Sequence, residues 1–130
     1  MDHDRKDRTV LVVDDYVDLR QTVSRMLLRS GYSKVVQAES GEQCLELVKN
    51  SGFDIILLDI SMPGISGIDT CKVLRSMTHT KQTRIVACTA HANARHSSVF
   101  IEAGFNDILF KPFGYAELMA KLDPAPEKGA

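Results

Sequence analysis

Four consecutive apolar residues, Ile55-Ile56-Leu57-Leu58, stand between Asp54 and Asp59. A run with no polar alternation leaves neither side to water, so it reads as a strand buried on both faces. Asp59 closes the run, and Ile60-Ser61-Met62-Pro63-Gly64 follows at once. A carboxylate at that point is held on a rigid element yet delivered to the surface. That is a good position for a nucleophile.

The rest of the sequence supplies the partners such a strand needs. Residues 9–13 (T-V-L-V-V), 34–38 (K-V-V-Q-A), 84–88 (R-I-V-A-C) and 107–110 (D-I-L-F) read as further short strands, beside 54–58. Between them the period changes to that of a helix. In 16–30, Leu19, Val23, Met26 and Leu27 share one face while Arg20, Arg25 and Arg29 fall elsewhere, and Gly31 is a helix stop. Ser40 or Gly41 can cap a helix to about residue 50, with Cys44, Leu45 and Val48 inward. Ser66 can cap another through about 76, burying Ile68, Cys71 and Leu74. A polar loop is expected at 77–82. A fourth helix with a weak apolar face is expected from about 93 to 103, and a last one over about 115–122, burying Leu118, Met119 and Leu122.

Five strand–helix alternations in one small domain imply an α/β fold: a parallel sheet with helices on both faces. Right-handed crossovers leave few topologies. Sites in such open sheets lie beyond the C-terminal strand ends, where the strand order reverses. For the order 2-1-3-4-5, that point is between strands one and three.

The length of 130 residues fits a single core. With 16 basic against 17 acidic residues there is no broad electrostatic footprint for nucleic acid or an anionic membrane. No apolar run approaches a membrane span, and residues 1–8 are polar, unlike a secretory signal. Cys44, Cys71 and Cys88 lie among apolar neighbours without C-x-x-C spacing. They read as small buried hydrophobes in a reducing cytoplasm. His3, His79, His91 and His96 have no metal-ligand spacing, so a zinc site is not expected.

The polar residues at the strand ends line up as one constellation. Strand one ends in Asp14-Asp15, strand three in Asp59, strand four in Thr89 and strand five in Lys111. Singly, each has a bland explanation in turn chemistry, helix capping or surface polarity. Together at adjacent strand ends they are much harder to dismiss. Three carboxylates in one pocket repel each other and demand a cation. An all-oxygen set favours a hard ion, and Mg²⁺ takes one or two carboxylates plus a phosphoryl oxygen. An Asp can attack a phosphoryl group to form an acyl phosphate. The transition state spreads negative charge over three oxygens, which Mg²⁺, the Lys111 ammonium and the Thr89 hydroxyl can meet. Ala90 is small enough to leave room for the group.

The segments V-L-V-V-D-D, I-I-L-L-D-I-S-M-P-G-I-S-G, I-V-A-C-T-A and K-P-F resemble the receiver domain of two-component response regulators. The resemblance covers roughly residues 8–122. The separations are also those of the family: 45 residues from Asp14 to Asp59, 30 to Thr89 and 22 to Lys111. It implies a flavodoxin-like, doubly wound (βα)5 domain over 9–122, between a polar extension at 1–8 and a tail at 123–130 expected to be disordered. It implies Asp59 as phosphoacceptor from a histidine kinase or histidine phosphotransfer protein. Asp14 and Asp15 become the acidic pair for Mg²⁺, with Asp15 the more direct ligand and Ser61 adding its backbone carbonyl. Thr89 and Lys111 become the phosphoryl-sensing pair. The implied protein is a cytoplasmic switch that catalyses only its own phosphoryl transfer and hydrolysis, and a further protein reads its surface around the fourth helix, fifth strand and fifth helix.

Two features depart from or qualify the pattern. Much of the family has an aromatic residue three positions before the lysine. Here Ile108 stands there, so the usual coupling of Thr to an aromatic rotamer is absent or rerouted. Ser61 and His91 occupy positions that in the family tune phosphoryl lifetime, and the T-A-H-A stretch resembles receivers attached to hybrid kinases. Three other readings compete. An aspartyl-nucleophile phosphatase of the haloacid-dehalogenase type wants an Asp where Ser61 stands. A flavin-binding module wants a phosphate cradle after strand one, where Asp14-Asp15-Tyr16-Val17-Asp18 repels phosphate. A non-phosphorylated, receiver-like adaptor is the main alternative, and the presence of all five site residues weighs against it.

Overall fold

The computed structural model describes residues 4–90 and 97–122. Five strands, β1 (Thr9–Val13), β2 (Lys34–Ala38), β3 (Ile55–Asp59), β4 (Arg84–Thr89) and β5 (Asp107–Phe110), form one parallel sheet in the order β2-β1-β3-β4-β5. Six helices accompany them: α1 (Asp4–Asp7), α2 (Val17–Arg29), α3 (Gly41–Asn50), α4 (Gly67–Ser76), α5 (Ser97–Ala103) and α6 (Tyr115–Leu122). The α/β class and the strand order expected from the sequence are both present.

The unbroken apolar run does what its composition requires. All five residues of β3 are buried. Ile56 and Leu58 pack on one face with Cys44 and Val48 of α3, Cys71 and Leu74 of α4, and Phe100 of α5. Ile55 and Leu57 pack on the other with Val23 and Leu27 of α2 and Leu118 and Leu122 of α6. Side chains of a strand alternate between faces, so one run of aliphatic residues feeds two cores. All three cysteines are free and buried.

Local chemistry sets the helix ends. Ser40 Oγ accepts from the Gln43 N–H at 3.0 Å, and Gln43 Oε1 accepts from the Glu39 N–H at 2.7 Å. Ser66 Oγ accepts from the Asp69 N–H at 3.1 Å. Both hydroxyls satisfy helix N–H groups that lack an intrahelical partner. Gly31 stops α2 with φ of 113°, a left-handed conformation that suits glycine.

Some features lie outside the sequence reading. Strand β3 runs one residue further than 54–58, because Asp59 continues the ladder opposite Cys88. Asp54 lies just outside it and accepts the Thr9 N–H at 2.8 Å. The loop expected at 77–82 contains a 3-10 turn, Thr78–Thr80, with Thr80 fully buried. Arg75 explains the order there: its guanidinium donates to the carbonyls of Thr80, Lys81, Thr83 and Gly104. Arg5, within the polar N-terminal extension, is seated on the domain. Arg5 donates to the Ser30 carbonyl at 2.9 Å and lies over the Tyr32 ring. The expected disordered tail at 123–130 and the start of the fourth predicted helix, at 93–96, lie outside the described residues. Among the described residues no helix is long and apolar enough to cross a membrane.

Candidate functional site

The sheet register assembles the site. Val13 pairs with Leu58, so Asp14, the next residue, comes level with Asp59. Asp59 pairs with Cys88, which sets Thr89 one step further along β4. Thr89 pairs with Phe110, and Lys111 follows. The Lys111 N–H donates to the Thr89 carbonyl at 2.8 Å, which ties the two chain ends together. The Lys111–Pro112 peptide is cis.

Three carboxylates meet at this edge. Asp14, Asp15 and Asp59 each present an oxygen, and these atoms lie within 4.8 Å of one another. Asp14 and Asp59 are buried at 5% and 4% exposure, whereas Asp15 is exposed. Asp14 is held on every side. Its N–H donates to the Ala38 carbonyl at 3.1 Å, and its Oδ1 accepts from the Tyr16 N–H at 2.9 Å. Lys111 Nζ donates to Asp14 Oδ2 at 3.1 Å and to Asp59 Oδ1 at 2.9 Å.

Burial raises the Asp59 pKa above the ordinary carboxylate value. The hydrogen bond from Lys111 works against that rise, and the charge of Asp14 adds to it. Lys111 shows the mirror image. Burial disfavours its charge, but its hydrogen bonds to Asp59 and Asp14 leave the pKa raised. The ammonium therefore stays protonated beside the acids at neutral pH. The Cys88 thiol is pushed up to about 12, chiefly by burial, so it is a neutral neighbour rather than a second nucleophile.

The loop after Asp59 is closed by backbone contacts. The Ile60 N–H donates to the Cys88 carbonyl at 3.1 Å, and the Gly67 N–H donates back to the Ile60 carbonyl at 3.0 Å. A Cβ on Gly67 would lie 2.2 Å from the Asp59 carbonyl oxygen, so only glycine lets α4 begin this close to the strand end. Ser61 is exposed at the start of that loop. Thr89 is buried at 2% exposure as the last residue of β4. Ile108 is partly buried and packs against the core on the α3–α4–α5 face. His91 lies outside the described residues.

Asp14, Asp15, Asp59 and Lys111 thus converge, with Thr89 joined to Lys111 through the backbone. Sequence reasoning overlooked Gly67 and Arg20. Arg20 falls off the apolar face of α2 in the sequence pattern, yet its Nη1 donates to the Asp14 carbonyl at 2.8 Å. Its place just after the acidic pair, closing the first turn of α2, is the signal the sequence carries.

A parallel sheet in the order 2-1-3-4-5, with an acidic pocket at the switch point and a lysine on the carboxylates, defines a receiver-type signalling domain. A family model for the response regulator receiver domain matches residues 10–123. The chain belongs to that family and is a receiver domain of two-component systems. It is 32% identical over 123 residues to chemotaxis protein CheY-3 of Vibrio cholerae, covering 95% of each chain. It is 38% identical over 113 residues to the transcriptional regulatory protein CpxR of Escherichia coli, and there it spans 47% of the relative. Among solved structures, CheY4 of Vibrio cholerae superposes with a TM-score of 0.85 at 31% identity, covering 89% of this chain and 96% of that one. The receiver domain of sensor histidine kinase PA1611 from Pseudomonas aeruginosa, which carries magnesium in its active-site cleft, gives a TM-score of 0.82 at 29% identity. The match covers 89% of this chain and 94% of that one.

Proposed function

We propose that this receiver is a phosphoacceptor switch in which Asp59 takes a phosphoryl group from a phosphohistidine. The donor is a histidine kinase or a histidine phosphotransfer protein. One observation carries the reading: the Asp59 carboxylate stands at a buried strand end between two further acids and the Lys111 ammonium. A carboxylate oxygen of Asp59 attacks phosphorus, an acyl phosphate bond forms, and the P–N bond to the donor imidazole breaks with its electron pair returning to the ring nitrogen.

The donor set fits a hard divalent ion, because three oxygens cluster within 4.8 Å in a site with no competing sulfur or imidazole ligand among the described residues. Asp14, Asp15 and Asp59 would hold Mg²⁺, with the Ser61 carbonyl as a further ligand. Bound there, Mg²⁺ supplies positive charge to the phosphoryl oxygens. Lys111 is seated on Asp59 before reaction and is positioned to pair with the new phosphoryl charge. Thr89 offers a hydroxyl on the adjacent strand end. The same constellation supports hydrolysis of the acyl phosphate, and no reaction on another substrate is part of this reading. A further protein reads the resulting change at the surface of α5, β5 and α6.

Incubation with acetyl phosphate and Mg²⁺, followed by intact-mass measurement, tests this. One added phosphoryl mass is expected in the parent and none in Asp59→Asn. An identical gain in both proteins would remove the assignment.

A further inference from the structure

Arg20 closes the first turn of α2 and is partly buried. Its Nη1 donates to the Asp14 carbonyl at 2.8 Å, and its Nε donates to Gln37 Oε1 on β2 at 3.0 Å. Its own N–H donates to the Tyr16 carbonyl at 3.0 Å. One planar guanidinium therefore joins the start of the helix to the ends of β1 and β2. Helix α2 has no side-chain cap at Tyr16, and Arg20 ties its first turn to the ends of β1 and β2.

The Asp14 carbonyl shares a rigid peptide plane with the N–H and Cα of Asp15. Fixing that oxygen fixes how the Asp15 Cα is presented. Asp15 is exposed, so its backbone has to aim its carboxylate at the other two acids.

We propose that Arg20 is a positioning residue for the acidic pocket, gripping the Asp14 carbonyl so that the Asp15 carboxylate stays aligned with Asp59. The inference rests on the pocket being a Mg²⁺ site. Simple electrostatics predicts the opposite sign. A positive charge near three acids disfavours a second cation, so removing Arg20 for charge alone would tighten Mg²⁺ binding. Removing a positioning residue weakens it, as groups that orient metal ligands do.

The test is a MgCl2 titration of the metal-free full chain, followed by amide NMR shifts, with thermal unfolding in chelator measured alongside. Saturable shifts around Asp59 are expected in the parent. Arg20→Lys keeps the charge but loses the fork, and should raise the Mg²⁺ dissociation constant about tenfold. Arg20→Met should raise it as well, although it removes a cation. Gln37→Ala, which leaves Arg20 in place but takes away its second hold, should give a smaller rise. It keeps the test decisive if Arg20→Met fails to fold. A merely structural Arg20 would lower the melting temperature and leave the dissociation constant of the folded protein unchanged. Parent-like affinity in Arg20→Lys, or tighter binding in Arg20→Met, overturns the proposal. A parent with no saturable shift overturns the Mg²⁺ reading itself, and the inference falls with it.

Discussion

Lys111 Nζ lies 2.9 Å from Asp59 Oδ1, so an ammonium from the end of β5 sits directly on a carboxylate from the end of β3. The same ammonium reaches Asp14 at 3.1 Å. Lysine here is a built-in counter-ion for the acids of β1 and β3, and its position links the proposed site of modification to the edge strand of the sheet.

Lys111→Met should leave those acids without their cation. In chelator at neutral pH, a loss of about 3 kcal/mol is expected, because the buried carboxylates would lose their compensating charge. The Lys111 contribution is present below the ordinary lysine pKa and fades as pH rises through its raised folded value. Added Mg²⁺ should raise the melting temperature of the variant more than that of the parent. Thermal unfolding with and without Mg²⁺ checks this, and equal Mg²⁺ effects would contradict it.

Asp59→Asn should stabilise the metal-free protein. Burial raises the Asp59 pKa, so the folded state resists ionisation more than the unfolded state does. That cost is absent below the ordinary carboxylate pKa and fully present above the raised folded value. The variant should gain on the order of 1 kcal/mol at neutral pH, and the gain should close as pH falls through the ordinary carboxylate range. Denaturant midpoints across that range measure it. A gain that grows on acidification would have the wrong sign.

Gly67→Ala should damage both fold and site. The new methyl would stand 2.2 Å from the Asp59 carbonyl oxygen and 2.8 Å from the Ile60 Cα, both of them backbone atoms. A loss of about 2–3 kcal/mol is expected, with weaker Mg²⁺ binding in the molecules that remain folded. Unfolding curves and a metal titration test the two parts separately.

Much of this site was legible in the sequence because its members sit at predictable places. Four apolar residues before Asp59 announced a strand buried on both faces, and the alternation of periods announced parallel crossovers. Asp14, Thr89 and Lys111 then had to fall at neighbouring strand ends. Arg20 and Gly67 were not legible in that way. Their roles come from contacts with the Asp14 and Asp59 carbonyls, and a backbone oxygen leaves no mark in a hydrophobic pattern. The order of the 3-10 turn at Thr78–Thr80 was hidden for the same reason: Arg75 reaches it through carbonyls.

Ile108 should stay still on activation. It pairs with Ala87 and packs against the core, and its β-branched side chain has restricted rotamers. With beryllofluoride and Mg²⁺, amide shifts are expected at Thr89 and Lys111, while the Ile108 side-chain methyl signals stay close to their inactive positions. A large displacement of those methyls would show that Ile108 takes the part an aromatic plays elsewhere in the family.

Borohydride trapping tests the central claim most directly. The protein is phosphorylated with acetyl phosphate and Mg²⁺, reduced so that the acyl phosphate becomes homoserine, and mapped by peptide mass spectrometry. Homoserine at position 59, absent when Mg²⁺ is chelated, is the predicted result. Homoserine at position 14 or 15, or none at any position, would contradict the account.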